Sequence, residues 1–144
     1  EGKQRGFLEK RVEELGLNDR VVMPGYCRNV PGLQRRSDLL VMPSHTEGLP
    51  ITLLEAMAVG IPVLVSPVGE MPALVGEGEG GYLMEKDCNA EILGSHIVNV
   101  LSDGQRAAKV EWSVKKVFSY YSVEAMEGRY RELYIAALGY RIEK

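Results

Sequence analysis

The sequence is poor in the features that mark a disulfide scaffold, a nucleic-acid binder or a membrane span. Its two cysteines, Cys27 and Cys88, lie far apart without a CxxC partner, which favours inert thiols in a reducing compartment over a disulfide or a metal site. The formal net charge is −3 and no basic stripe is present, which argues against nucleic acid as a partner. No apolar run approaches the roughly 20 residues needed to cross a bilayer.

The start of the chain is polar, with neither a signal peptide nor an initiator methionine. We therefore expect an excised piece of a longer, cytoplasmic protein. Its 144 residues are enough for one domain with its own hydrophobic core.

Short apolar runs alternate with segments of helical spacing along most of the chain. The runs predicted as strands are rich in Val and Leu and lie at residues 21–23, 39–42, 62–65 and 82–84. Residues 50–59 predict a helix that ends at Gly60, and Asn89 and Ser122 are expected to cap later helices. Strands that alternate with helices predict a parallel α/β sheet, whose ligands bind at the carboxyl ends of the strands.

Two acidic residues, Glu47 and Glu55, enclose the point where the loop after the strand at 39–42 enters the next helix. The first N–H groups of a helix lack partners and carry a partial positive charge, so such a loop binds anions. The carboxylates would repel a bare phosphate, but they accept hydrogen bonds from hydroxyl groups. A nucleotide sugar offers both phosphate and hydroxyl groups. The competing interpretation is a pair of solvated acids that the helix dipole favours.

Two longer runs make this pattern specific: SDLLVMPSHTEGLP at residues 37–50 and LEAMAVGIPV at residues 54–63. They resemble the donor-site signature of the family 4 (group 1) retaining glycosyltransferases. The resemblance spans nearly the whole chain. It implies the C-terminal, donor-binding domain of a GT-B fold, with a Rossmann-like, three-layer parallel sheet whose first strands are missing. The N-terminal, acceptor-binding domain is expected to be absent, so the fragment alone would not transfer sugar.

The resemblance also implies roles for individual residues. Glu47 would be the catalytic residue that accepts hydrogen bonds from the donor sugar, and Glu55 would accept them from the ribose. The backbone of Gly48 and Leu49 would seat the sugar. The start of the helix would face the diphosphate, through Pro50, Ile51, Thr52 and Leu53. Three further residues would lie beside the nucleotide base: Tyr26, Cys27 and Arg28.

In glycosyltransferases of this kind, the helix N-terminus stabilises the negative charge on the departing nucleoside diphosphate. The resemblance implies retention of stereochemistry and no metal or other cofactor. The expected partners are a nucleotide-diphosphate sugar and the protein's own N-terminal domain, with no nucleic acid. A polysaccharide or glycolipid acceptor is expected, and peripheral association of the full-length enzyme with the inner face of the membrane is compatible with it.

Other interpretations stay open at this point. A sugar-nucleotide epimerase of GT-B fold, or a non-catalytic module of that fold, would share most of these features. A hydrolase acid–base pair is disfavoured, because the two acids are placed to contact hydroxyls along one ligand rather than one scissile bond. His45 closes the strand before Glu47 but is expected to lie off the ligand, and His96 is expected to be structural.

Two stretches are assigned structural roles. Residues 76–81 contain GxGxGG but open no helix after a strand, so they predict a flexible loop rather than a phosphate loop. The aromatic residues near the C-terminus have helical spacing, which predicts core packing, with some of them at a domain interface. These residues are Trp112, Phe118, Tyr120, Tyr121, Tyr130 and Tyr134.

Overall fold

The computed structural model describes residues 2–138, and these fall into two compact units that divide after Val30. In the first unit, α1 (Arg5–Glu14) buries none of its residues. The Arg5 guanidinium donates a hydrogen bond to the Met23 carbonyl at 2.9 Å, which ties the start of α1 to the segment that follows it.

The strand predicted at residues 21–23 is wrong. These residues pair with no strand in the described part of the chain, and Val22 is 80% exposed. A run of apolar residues becomes a strand only where a neighbouring strand accepts and donates its backbone hydrogen bonds. The apolar pattern alone could not show whether such a neighbour was there.

The second unit contains a three-stranded parallel sheet with the order β1-β2-β3. Its strands are β1 (Leu40–Met42), β2 (Val63–Val65) and β3 (Tyr82–Leu83). Leu40 pairs with Val63, and Leu64 pairs with Tyr82. The sheet confirms the parallel α/β fold expected from the alternation of strands and helices.

Six helices accompany the sheet in the described residues. They are α2 (Val30–Gln34), α3 (Ile51–Val59), α4 (Met71–Leu74), α5 (Ala90–Ser102), α6 (Arg106–Tyr120) and α7 (Val123–Leu138). A short 3-10 turn, Gly76–Gly78, precedes β3. Among these helices and that turn, none is both long enough and apolar enough to cross a membrane.

Both faces of the sheet are covered, so the unit has three layers. Val63 and Val65 are fully buried on one face, in a core that includes residues of α3, α4 and α6. Leu64 is buried on the other face, in a core that includes Val100 of α5. Successive side chains of a strand point to opposite faces, so a continuous Val-Leu-Val run is what a strand buried on both sides requires.

The helix ends follow the sequence signals. Gly60 ends α3 in the left-handed conformation, with φ at +80°. The Asn89 side chain accepts a hydrogen bond from the Ile92 N–H at 2.9 Å and caps α5. The Ser122 hydroxyl accepts one from the Ala125 N–H at 3.1 Å. All three caps were predicted from the sequence, because a cap depends on residues three or four positions away.

The core packing predicted for the aromatic residues near the C-terminus is largely wrong. Trp112 is half-buried. The other five residues are between 39% and 64% exposed: Phe118, Tyr120, Tyr121, Tyr130 and Tyr134. Helical spacing groups residues on one face of a helix. It does not show whether another element packs on that face.

Candidate functional site

The carboxyl ends of all three strands border one cleft, which has a cavity volume of about 60 Å³. Residues 43–45 follow β1, residues 66–68 follow β2, and residues 84–88 follow β3. This is the edge at which parallel α/β sheets bind their ligands. The loop that contains Glu47 leaves this edge and leads into α3.

The carboxylate of Glu47 is oriented by a residue three positions earlier. The Ser44 hydroxyl donates a hydrogen bond to Glu47 Oε1 at 2.9 Å. Both side chains are half-buried. Because Oε1 is engaged by Ser44, Oε2 is left to accept a hydrogen bond from a ligand.

The backbone of Glu47 is fixed by the turn that follows β2. Gly69 adopts a left-handed φ of +55°, and a Cβ placed on it would lie 2.1 Å from the Glu47 carbonyl oxygen. The Glu70 N–H donates a hydrogen bond to the Gly48 carbonyl at 3.2 Å. Only glycine permits so close an approach of two backbone segments.

The backbone of Gly48 borders open space on its side-chain side. A Cβ built on Gly48 would meet no atom within 4 Å. This glycine is therefore not required by packing, in contrast to Gly69, and a ligand can approach its backbone closely.

The start of α3 has free hydrogen-bond donors. Pro50 precedes the helix in an extended conformation, without a side-chain cap. The Leu53 N–H donates to the Pro50 carbonyl at 3.1 Å. In the described part of the chain, the N–H groups of Ile51 and Thr52 have no such partner. Free N–H groups at the positive end of a helix attract an anion.

The four residues at the start of α3 differ in accessibility. Pro50 is buried and Leu53 lies in the hydrophobic core with no exposed surface. Ile51 and Thr52 are exposed, so their backbone N–H groups are the available donors among the residues predicted to face the diphosphate. Leu49, just before this turn, is 48% exposed.

Glu55 lies on the second turn of α3 and is half-buried. Within residues 2–138 its carboxylate makes no hydrogen bond or ion pair with another side chain. A half-buried carboxylate without a protein partner is available to a ligand hydroxyl.

Gln34 is a supporting residue that the sequence did not single out. Its side chain is 5% exposed, and its Nε2 donates a hydrogen bond to the Thr52 carbonyl at 3.1 Å. It therefore ties the first turn of α3 to α2. A polar residue in a short helix gives no sequence signal for this contact, which joins residues 18 positions apart.

The cleft is also lined by ionisable side chains that were not predicted for the site. Lys86 and Cys88 follow β3 and line the cleft together with His45, which is exposed. The rule that ligands bind at the carboxyl ends of strands could have identified the segment after β3. Within residues 2–138, no group of three or more His, Cys, Asp or Glu side chains is arranged so that it could hold a metal ion.

Tyr26, Cys27 and Arg28 belong to the first unit. Tyr26 is 85% exposed and lines a cavity of about 630 Å³ within that unit, together with Arg5 and Met23. Cys27 is half-buried and Arg28 is exposed. Their assignment to the nucleotide base stays a prediction.

A tyrosine–aspartate pair at the opposite edge of the sheet has shifted pKa values. The Tyr82 hydroxyl donates to Asp103 Oδ2 at 2.7 Å. Burial, followed by this hydrogen bond, raises the pKa of Tyr82 to about 12. The Gln105 N–H and then the Tyr82 hydroxyl lower the pKa of Asp103. Tyr82 begins β3, so the pair lies away from the carboxyl edge and has a structural role.

Comparison with known proteins places these features in a family. A family model for the glycosyl transferases group 1 matches residues 1–117. A lipopolysaccharide core biosynthesis mannosyltransferase, LpsB, from Rhizobium meliloti is 42% identical over 82 residues, which are 56% of this chain and 23% of that protein.

Two solved structures share the fold. One is the C-terminal domain of a group 1 glycosyl transferase, LpcC, from Francisella tularensis, with a TM-score of 0.70 and 26% identity over 83% of this chain and 63% of that one. The other is HepE from Anabaena in complex with UDP-glucose, with a TM-score of 0.78 and 25% identity over 94% of this chain and 38% of that one. The chain thus spans less than two-thirds of each of these proteins.

Proposed function

The chain belongs to the group 1 glycosyltransferases, and on that premise we propose that the loop and helix start at residues 47–55 bind the nucleotide-sugar donor. The observation that supports this best is the placement of Glu47 and of the free N–H groups of Ile51 and Thr52 at the carboxyl edge of the sheet. The second unit has the α/β fold of the C-terminal domain of GT-B enzymes.

The donor would contact this segment along its length. Oε2 of Glu47 accepts a hydrogen bond from a sugar hydroxyl, while the N–H groups of Gly48 and Leu49 seat the sugar. The diphosphate faces the start of α3, where the positive end of the helix lies. Glu55 accepts a hydrogen bond from the ribose. Tyr26, Cys27 and Arg28 are assigned to the base by the resemblance.

The chemistry follows from the charge that develops in the reaction. When the glycosidic bond to the donor phosphate breaks, negative charge accumulates on the departing nucleoside diphosphate. Preorganised N–H groups at the start of α3 stabilise that charge more in the transition state than in the bound donor, and this lowers the barrier. We include retention of stereochemistry and independence of metal ions in the proposal, as the resemblance implies.

The full-length enzyme would move a hexose to an acceptor such as a polysaccharide or a glycolipid. The acceptor would bind to the enzyme's own N-terminal domain, so the 144-residue chain alone is expected to be inactive. A cytoplasmic location, with peripheral association at the inner face of the membrane, completes the proposal. The wide separation of Cys27 and Cys88 in the sequence, without a CxxC partner, supports a reducing compartment.

Ligand-observed NMR with UDP-glucose, GDP-mannose and ADP-glucose tests the donor site. We expect one of the three to bind, and Glu55→Ala to weaken its binding roughly tenfold, because a hydrogen bond to a charged group is lost. Glu91→Ala, at an exposed acid in the first turn of α5, is the matched control and should leave binding unchanged. Binding that survives Glu55→Ala would place the donor elsewhere.

The same titration on the full-length protein completes the test. If none of the three nucleotide sugars binds there, the transferase proposal is wrong. Excess EDTA followed by excess Mg²⁺ tests the metal independence, because a donor held by helix N–H groups should bind equally under both conditions. Binding that EDTA abolishes and Mg²⁺ restores would contradict it.

A further inference from the structure

We propose that Ser44 is a positioning residue for the donor sugar, which acts by fixing the carboxylate of Glu47. The inference rests on the proposed function, since it presupposes that Glu47 contacts the sugar. Its basis is the hydrogen bond that the Ser44 hydroxyl donates to Glu47 Oε1 at 2.9 Å.

Ser44 lies just after the end of a strand that is held in place by hydrogen bonds. It lies two residues after the end of β1. The last residue of that strand, Met42, accepts hydrogen bonds at its carbonyl from both the backbone N–H and the hydroxyl of Ser66, at 3.1 and 3.2 Å. Ser66 is 7% exposed. The end of β1 is therefore locked to the segment after β2, and Ser44 starts from a rigid strand end.

Glu47 is fixed a second time through its backbone. The close approach of Gly69 to the Glu47 carbonyl, and the hydrogen bond from the Glu70 N–H to the Gly48 carbonyl, set the position of the Glu47 main chain. With the backbone fixed from one side and Oε1 fixed from the other, the glutamate side chain is ordered before a ligand arrives. A group that is already ordered loses less conformational entropy when it binds.

The two carboxylate oxygens of Glu47 accept hydrogen bonds from different partners. Oε1 accepts the hydrogen bond from Ser44, and Oε2 is left for a hydroxyl of the sugar. Removing the Ser44 hydroxyl frees the carboxylate to rotate, so it should weaken the contact with the sugar. The contact between the diphosphate and the start of α3 should not change, because neither Ser44 nor Glu47 takes part in it.

This difference separates a positioning role from a merely structural one. Each of UDP-glucose, GDP-mannose and ADP-glucose is titrated against the chain beside its own nucleoside diphosphate, UDP, GDP or ADP. For the pair that binds, we expect Ser44→Ala to lower the affinity for the nucleotide sugar about tenfold, which is the size of effect that the loss of a hydrogen bond to a charged group produces. The affinity for the free diphosphate should stay within a factor of about two.

Two further variants make the result interpretable. Ser44→Thr keeps the hydroxyl and should bind the nucleotide sugar like the wild type. Ser95→Ala removes an exposed hydroxyl that bonds only within α5, to the Glu91 carbonyl, and should change neither ligand. Thermal unfolding of all the variants confirms that each is folded at the temperature of the titration.

The inference is overturned if Ser44→Ala lowers the affinities for the nucleotide sugar and the free diphosphate equally, or changes neither affinity. It is also overturned if Ser44→Thr binds the nucleotide sugar as weakly as Ser44→Ala does. Failure of the proposed function gives a different result: the wild-type protein would then bind neither the nucleotide sugars nor the free diphosphates. That result would also remove the premise on which the role of Ser44 depends.

Discussion

Gly69 and Glu47 touch through their backbones, and the contact leaves no room for a side chain at Gly69. A Cβ there would lie 2.1 Å from the Glu47 carbonyl oxygen and 2.9 Å from its carbonyl carbon. The two residues belong to different loops, one after β2 and one after β1. The position of the proposed catalytic loop therefore depends on a glycine 22 residues further along the chain.

Gly69→Ala is expected to displace the loop that contains Glu47. The new methyl group meets a backbone atom that cannot move aside, and the φ of +55° is strained for alanine. We expect a loss of about 1–3 kcal/mol in the free energy of unfolding, together with a loss of nucleotide-sugar binding. Urea denaturation and the NMR titration measure these two effects.

Gly94→Ala is the control for this variant. Gly94 lies inside α5, and a Cβ on it would meet nothing within 4 Å. Alanine at a helix interior stabilises by roughly 0.5–1 kcal/mol relative to glycine. If Gly69→Ala were as stable as the wild type and still bound the donor, the contact with Glu47 would not position the loop.

Gly48→Ala should weaken donor binding without lowering the stability of the protein. A Cβ at Gly48 meets no protein atom within 4 Å, so the free energy of unfolding should change by less than about 0.5 kcal/mol. If the donor sugar packs against this backbone, the methyl group takes its place, and affinity should fall roughly tenfold. Unchanged affinity in a titration would show that the sugar lies elsewhere.

Two of the aromatic residues on α6, Trp112 and Phe118, should differ sharply in their contribution to stability. The Trp112 ring packs against the loop before β3, where a Cβ on Gly76 or Gly80 would lie 2.4 or 2.2 Å from its atoms. Phe118 is 60% exposed. We expect Trp112→Ala to lower the free energy of unfolding by roughly 3 kcal/mol and Phe118→Ala by less than about 0.5 kcal/mol. Urea denaturation of both variants checks this, and equal effects would refute the packing described for Trp112.

Tyr82→Phe should flatten the dependence of stability on pH. The lowered pKa of Asp103 contributes stability above its ordinary value of 3.8, and this contribution is lost as the pH falls below it. The raised pKa of Tyr82 contributes stability below pH 10.0, and this is lost as the pH rises from there towards about 12. The hydrogen bond between the two side chains is the second cause of each shift, after burial for Tyr82 and after the Gln105 N–H for Asp103.

At neutral pH, we expect Tyr82→Phe to lower the unfolding midpoint by roughly 2–4 °C. Thermal unfolding at a series of pH values gives the unfolding midpoint of the wild type and of Tyr82→Phe. The two midpoints should converge at both the acidic and the alkaline extreme. Tyr120→Phe, at a tyrosine that is 52% exposed, is the control and should follow the wild type. A Tyr82→Phe curve parallel to the wild type at every pH would show that the pair does not couple stability to pH.

Much of the fold could be predicted from the sequence where the signal is local. The sequence predicts β2 from its Val-Leu-Val run, the end of α3 from Gly60 and the cap of α5 from Asn89. Each of these features depends on residues only a few positions apart. The family resemblance likewise came from contiguous motifs between residues 37 and 63. The strand predicted at residues 21–23 failed because a strand needs a partner that local pattern does not reveal.

The sequence by itself determined the family, the parallel α/β class, the end of α3, the caps of α5 and α7, and the candidate acids Glu47 and Glu55. Only the tertiary structure decided that Gly69 lies against Glu47, that Ser44 engages one of its carboxylate oxygens and that Gln34 fixes the first turn of α3. The reason is physical. Propensities and caps act over a few neighbouring residues, whereas the contacts that shape the site depend on the order of the strands and on how the loops after them pack together.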